Sequence, residues 1–262
     1  MPELPEVETI VRALRPWVEG KRLLGLEALD PALRHLPSQL RLPARVERLA
    51  RRGKYILFHL SQRKEREKLL VIHLRMSGRL LWGEESPPGR VRLLLSFPRG
   101  GVYLVDKRRL AQAELVEEFD RGLGPEPFGD LSWLPEALGK SRMPVKAWLL
   151  DQRKIAGIGN IYAAEILFRA RIDPRRPARS LSLAEAHRLA RAIPQVLEEA
   201  IAGRGTTLAD AEYRLPSGEL GGFQLRLAVY GRAGEPCPRC GTAIERVKLA
   251  GRSTYFCPRC QR

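Results

Sequence analysis

The chain has 262 residues and a formal net charge of +16 at pH 7. That length supports one large domain or two ordinary ones with real cores, and a positive surplus of this size points to a polyanionic partner, because Lys and Arg release the counterions condensed on nucleic-acid phosphates. No apolar run approaches the roughly 20 residues of a membrane span, and the acidic, proline-broken start lacks the apolar stretch of a secretory signal, so a cytoplasmic protein with no membrane partner is expected.

The chain begins MPELPEVE. If Met1 is removed, Pro2 presents a secondary amine beside the carboxylates of Glu3 and Glu6. An ordinary α-amino group has a pKa of about 8, so an appreciable fraction is neutral near pH 7 and able to attack an aldehyde-like carbon, forming an iminium. Pro2 and Pro5 also suit the first turn of a helix, and the segment alone leaves both readings open. Val7, Ile10, Val11 and Leu14 recur at helical spacing, and Gly20 sits where that helix would have ended.

Short runs rich in Leu, Val and Ile then predict strands over 22–29, 44–49, 55–60, 69–74, 91–97 and 102–105, with turn-forming clusters at 86–89 and 98–101. This half reads as an all-β sandwich or barrel. The segment 62–68 reads as a charged hairpin tip. RGLGPEP at 121–127 has linker composition, and beyond it helices are predicted over 145–150, 160–170 and 183–202. Ser182, with Glu185 three residues on, predicts a capping box for the last of these. The glycine-rich stretch 206–222 reads as a long loop, a kind of segment that is usually functional or mobile.

Two motifs carry further chemistry. In DQRKIAGIGNIY (151–162) Gly157 and Gly159 allow close backbone approach to a ligand, while Asn160 could cap a helix whose first amides point at a phosphate; an ordinary helix–turn–helix corner has the same pattern. At the C-terminus, Cys237 and Cys240 are followed after sixteen residues by Cys257 and Cys260. Two such knuckles complete the tetrahedral shell of Zn2+ with no open position, which favours a structural metal over a redox pair. Between the knuckles lie Arg246, Lys248, Arg252, Thr254 and Tyr255, a ribbon tip made basic by the first three, as suits contact with nucleic acid.

MPELPEVE, RRGKY (51–55), HLRMSG (73–78), DKRR (106–109), LGPEP (123–127), GIGNIYAAE (157–165) and the four-cysteine ribbon follow one another over the full chain. In this order they resemble the bacterial formamidopyrimidine-DNA glycosylases, and the PELPEVE opening fits that branch better than the related endonuclease VIII branch. The resemblance implies an α+β protein: an N-terminal helix and β-sandwich catalytic domain over 1–122, a linker at 123–130, a helix-two-turn-helix domain over 131–225 and a β-hairpin zinc ribbon over 226–262. It implies a monomer that binds damaged double-stranded DNA, flips out an oxidised purine, excises it and nicks the strand by β,δ-elimination, holding one structural Zn2+ and residing in the cytoplasm, on the nucleoid when bound to DNA.

By the same resemblance Pro2 is the nucleophile, Glu3 the proton donor at the sugar and Glu6 its support. Lys54 is the proton donor in β-elimination, and Arg252 grips a phosphate and serves δ-elimination. Asn160 and Lys146 contact phosphate, while Met76, Arg108 and Leu110 fill the space left by the flipped base. The chain departs from the family pattern where Leu110 replaces an aromatic residue, Arg75 a glycine, Lys107 a proline, and where Glu219 stands near the place of a lysine in some members. These departures bear on base preference. The rival readings are an endonuclease VIII-like glycosylase for oxidised pyrimidines and a zinc DNA-binding protein without catalysis.

Overall fold

The computed structural model describes residues 2–62 and 66–262; Met1, whose removal the Pro2 reading requires, and residues 63–65 of the expected hairpin tip lie outside the described residues. The chain divides into two compact units, Met1–Arg121 with Gly203–Gln224, and Gly122–Ala202 with Leu225–Arg262.

The first unit opens with helix α1 (Leu4–Val18), started by a capping box in which Glu3 is the N-cap and Glu6 closes back on the Glu3 amide at 2.8 Å. Pro5 lies in the first turn, whereas Pro2 precedes the cap and is not part of the helix. The stripe Val7, Ile10, Val11, Leu14 and Val18 is at most 1% exposed, and each such side chain contributes about 1.5–3 kcal/mol by leaving water. It enters one apolar core shared by two sheets.

The five-stranded sheet runs β1 (Arg22–Leu23), β3 (Ala44–Arg52), β4 (Tyr55–Ser61), β5 (Lys68–His73), β9 (Gln112–Val116), and the four-stranded sheet runs β2 (Gly25–Ala28), β7 (Val91–Phe97), β8 (Gly100–Val105), β6 (Arg79–Gly83). All pairings are antiparallel. Ile56, Phe58 and Leu60 face Leu93, Leu95, Val102 and Leu104 across the sandwich core, as period-2 alternation dictates. The opposite face of β4 and β5 carries a smaller cluster of Leu57, Leu69 and Val71 under Tyr55 and Phe119.

Two differences from the expected strands have simple causes. The single run 22–29 is split: the chain leaves one sheet and enters the other at Leu24, which is 50% exposed between buried Leu23 and Leu26. β6 and β9 are edge strands with mostly half-exposed side chains; β6 carries only the three-residue apolar run Leu80–Trp82 and β9 has none.

The second unit holds α2 (Leu134–Gly139), α3 (Val145–Leu150), α4 (Asn160–Ala170) and α5 (Leu183–Ala202), then the hairpin β10 (Glu245–Leu249) and β11 (Arg252–Phe256). Ser182 and Glu185 form the expected capping box at the start of α5. Residues 203–224 belong to the first unit rather than to the helical domain expected over 131–225. Their backbone is tied there by Thr206, whose amide donates to Glu6 Oε1 at 2.8 Å, and by the buried side chains Tyr213 and Leu215 in the sandwich core.

Candidate active site and metal centre

In the first unit the N-terminal turn is fixed from two directions. Glu6 accepts from the Glu3 amide with Oε2 and from the Thr206 amide with Oε1, so this buried carboxylate joins the start of α1 to the base of the 203–224 loop. Gly205 (φ +78°) suits that backbone, and a Cβ there would crowd Glu6 Oε1 and the Tyr213 ring at 3.0 Å. The loop base is knotted further by Tyr213 Oη donating to the Arg204 carbonyl at 2.9 Å and by Thr207 Oγ1 accepting from Gly221 N at 2.8 Å. Glu219, on the same loop, is exposed and paired with Arg204 at 2.8 Å.

Lys54 occupies the turn between β3 and β4 and is 8% exposed. Arg51 anchors that turn: its Nη1 donates to the Gly53 carbonyl and its Nε to Glu8 of α1 at 2.9 Å. Burial raises the Glu8 carboxyl pKa, but the Arg12 and Arg51 guanidinia outweigh this and hold it below the usual range. Beside the turn, His73 stacks edge-on to Tyr55 with centroids 4.6 Å apart. Burial first, then the charges of Arg75 and Lys54, lower its pKa to about 4. Its Nδ1 accepts from the Arg75 amide at 3.0 Å, which leaves the proton of the neutral ring on Nε2.

Met76 and Leu110 are 45% and 39% exposed, and Arg108 is exposed; all three project from turns of the first unit. Arg75 has φ +54°, so the arginine adopts the left-handed backbone that glycine takes without cost, and its guanidinium is held by Gln112 Oε1 at 2.7 Å. Lys107 pairs with Glu212 at 3.0 Å.

In the second unit the glycine turn differs from expectation. Gly159, not Asn160, is the N-cap of α4, and Asn160 is its first helical residue. The Asn160 side chain reaches the ribbon, donating through Nδ2 to the Ser253 carbonyl at 3.0 Å. Lys146, expected at a phosphate, is 1% exposed; its Nζ donates to the Ser253 carbonyl at 2.9 Å and to Thr254 Oγ1 at 2.8 Å. Burial without partners would be prohibitive for an ammonium, so this lysine is an internal strut. Both side chains thus grip the residues that follow Arg252, which is exposed at the start of β11. Glu165 of α4 was legible only as part of a motif; it is buried and accepts from the amides of Ala228, Val229 and Tyr230 at 2.8–3.0 Å, fastening the segment that enters the ribbon.

The four cysteines form no disulfide, and their Sγ atoms all lie within 4.8 Å of one another. Cys237 and Cys260 are 3.9 Å apart, Cys240 and Cys257 3.5 Å, close to the edge of about 3.8 Å of a tetrahedron with Zn–S bonds of about 2.3 Å. Backbone amides of Arg239 and Cys260 donate to Cys237 and Cys257 sulfurs at 3.4 Å. The Thr242 hydroxyl and amide bring the Cys240 thiol down to about 6. This donor set fits one structural Zn2+, and Cys240 and Cys260 share a concave surface with five arginines, Arg171, Arg188, Arg239, Arg259 and Arg262, and one carboxylate, Glu185.

A four-thiolate ribbon with an arginine-rich border, on a chain of net charge +16, is the build of a zinc protein suited to a polyanionic partner. Family models match residues 1–113 as the formamidopyrimidine-DNA glycosylase N-terminal domain, 123–211 as the formamidopyrimidine-DNA glycosylase H2TH domain and 234–262 as the zinc finger found in FPG and IleRS. The formamidopyrimidine-DNA glycosylase of Thermus thermophilus is 47% identical, covering 100% of this chain and 98% of that relative. The Lactococcus lactis Fpg bound to abasic-site DNA superposes with a TM-score of 0.89 at 33% identity, covering 99% of both chains. A variant of the same Fpg bound to Fapy-dG DNA gives 0.90 at 33% identity over 100% of both. The chain belongs to the formamidopyrimidine-DNA glycosylase family.

Proposed function

We infer that this protein is a base-excision-repair DNA glycosylase that removes oxidised purines from damaged duplex DNA and then opens the strand as a lyase, with Pro2 as the nucleophile. The observation that carries this reading is the N-terminal turn: Pro2 stands directly before an α-helix capped by Glu3 and Glu6, outside the helix and beside two buried carboxylates.

After loss of Met1, the lone pair of the Pro2 nitrogen attacks C1′ of the damaged nucleotide. The C1′–base bond breaks with its electron pair leaving on the base, and Glu3 supplies a proton at the sugar so that the ring opens to an iminium. Loss of a C2′ proton then expels the 3′ phosphate, with Lys54 as proton donor; loss of the C4′ proton, assisted by Arg252, expels the 5′ phosphate, and water hydrolyses the iminium to free Pro2. Glu6 holds the Glu3 amide and the 203–224 loop base, which keeps the acid and the amine in one geometry. Met76, Arg108 and Leu110 replace the stacking and pairing lost when the base leaves the helix, with Leu110 offering less stacking area than an aromatic ring. One Zn2+ in the ribbon supplies structure and no reacting group.

Strand cleavage on duplexes carrying 8-oxoguanine opposite cytosine or thymine glycol opposite adenine tests the substrate. Faster cleavage at 8-oxoguanine is expected. Faster cleavage at thymine glycol would favour an endonuclease VIII-like specificity, and binding without cleavage a non-catalytic zinc protein.

A further inference from the structure

The turn bearing Met76 and the turn bearing Arg108 and Leu110 are distant in sequence, yet they share one buried fastening. Asp106, at the end of β8, is fully buried. Its Oδ1 accepts from Ser77 Oγ at 2.7 Å and from the Arg108 amide at 3.0 Å, while Oδ2 accepts from the Ala111 amide at 2.7 Å. One carboxylate therefore holds the residue after Met76 and both flanks of Arg108–Leu110. The two turns also touch directly: a Cβ on Gly78 would meet the Ala111 Cβ at 2.7 Å and the Leu74 carbonyl at 2.6 Å.

A second layer braces the first. Arg92 is 2% exposed; it donates from Nη1 to the Ala111 carbonyl at 2.6 Å and from Nε to Asp30 at 2.9 Å, and lies 3.6 Å from Asp106. Arg109 (φ +58°), with its side chain 42% exposed, lays its guanidinium on both oxygens of the buried Asp30 at 2.7 and 2.8 Å. Two carboxylates and two guanidinia balance in charge. A surface turn has no need of a charge-neutral network in which Asp30, Arg92 and Asp106 are all buried, and ion pairs of this kind are best attested where they fix one arrangement among several.

We propose that Asp106, through Ser77, is a positioning residue that locks the two turns into a single preformed wedge, so that Met76, Arg108 and Leu110 enter the base stack together rather than separately. The proposal rests on the void-filling reading of those three side chains. Pre-organisation of this kind removes the cost of ordering two loops at the moment of insertion.

The test compares wild type, Ser77→Ala, Met76→Ala and the double variant on two substrates: a duplex with 8-oxoguanine opposite cytosine, and a single-stranded abasic oligonucleotide, which has no stack to enter. Ser77→Ala is expected to slow excision from the duplex about tenfold, the equivalent of one buried hydrogen bond, and to leave borohydride trapping on the single strand within about twofold. In the double variant the loss of Ser77 should add little to the loss of Met76, because coupled residues are not additive. Asp106→Asn should follow Ser77→Ala in direction. Equal losses on both substrates, full additivity, or an inert Ser77→Ala where Met76→Ala slows the duplex reaction would overturn the proposal alone. An inert Met76→Ala would overturn the void-filling reading and the proposal with it.

Discussion

His73 ties the stability of the first unit to pH. Its folded pKa of about 4 lies below the ordinary 6.5, so between those values the unfolded chain binds a proton that the folded chain refuses. Stability is therefore full above about pH 6.5 and is lost as pH falls toward 4. Urea unfolding of wild type and His73→Asn across this range should show a steeper acid loss for wild type; parallel curves would contradict the assignment. Lys146 makes a different prediction from the one its sequence context suggested. As an internal strut, its replacement by Met takes the donor from the buried Thr254 hydroxyl oxygen and one of two side-chain donors from the Ser253 carbonyl, which keeps Asn160; this should cost about 1–3 kcal/mol of stability in the second unit. A phosphate-binding surface lysine would show no such loss on unfolding. Its type alone could not distinguish the two roles, because its partners lie 107 and 108 residues away.

Among the elements, those with a local signature were legible. The stripe of α1, the apolar run of β7, the Ser182–Glu185 box and the paired cysteines each carry their cause within a few residues. Elements defined by distant partners were not. β9 is a strand because β5 lies beside it, and the Asp30–Arg92–Asp106–Arg109 network joins residues of three separate segments; an arginine inside the apolar run of β7 was the only trace of it. Gly78→Ala tests the close approach of the two turns. A Cβ at 2.6 Å from a backbone carbonyl cannot be absorbed by a side-chain rotation, so a loss of about 1–3 kcal/mol is expected, and a neutral substitution would contradict the packing. Chelation of Zn2+, or Cys237→Ser, should unfold the ribbon and weaken DNA binding while the sandwich of the first unit keeps its fold. In a Trp133→Phe, Trp148→Phe background, fluorescence from the stacked Trp17 and Trp82 reports the latter, and its simultaneous collapse would show that the two units do not fold independently.

For the whole molecule, the net charge of +16 predicts DNA affinity that falls steeply with salt, by about a thousandfold between about 50 and 200 mM if some six phosphates are engaged. A flat salt dependence would remove the electrostatic account of binding. Composition and motif order together announced the class of partner, the metal and the fold class. They did not announce that residues 203–224 return to the first unit, because the bond that brings them back, Thr206 to Glu6, spans 200 residues. That return gives Glu6 its place between the helix start and the loop, and so bears on how the amine is held. The central claim remains the amine itself. Borohydride trapping on an 8-oxoguanine duplex, with protein verified to begin at Pro2, should give a covalent adduct that maps to residue 2 and is lost or strongly reduced in Pro2→Gly; absence of an adduct, or one mapping elsewhere, would contradict the mechanism.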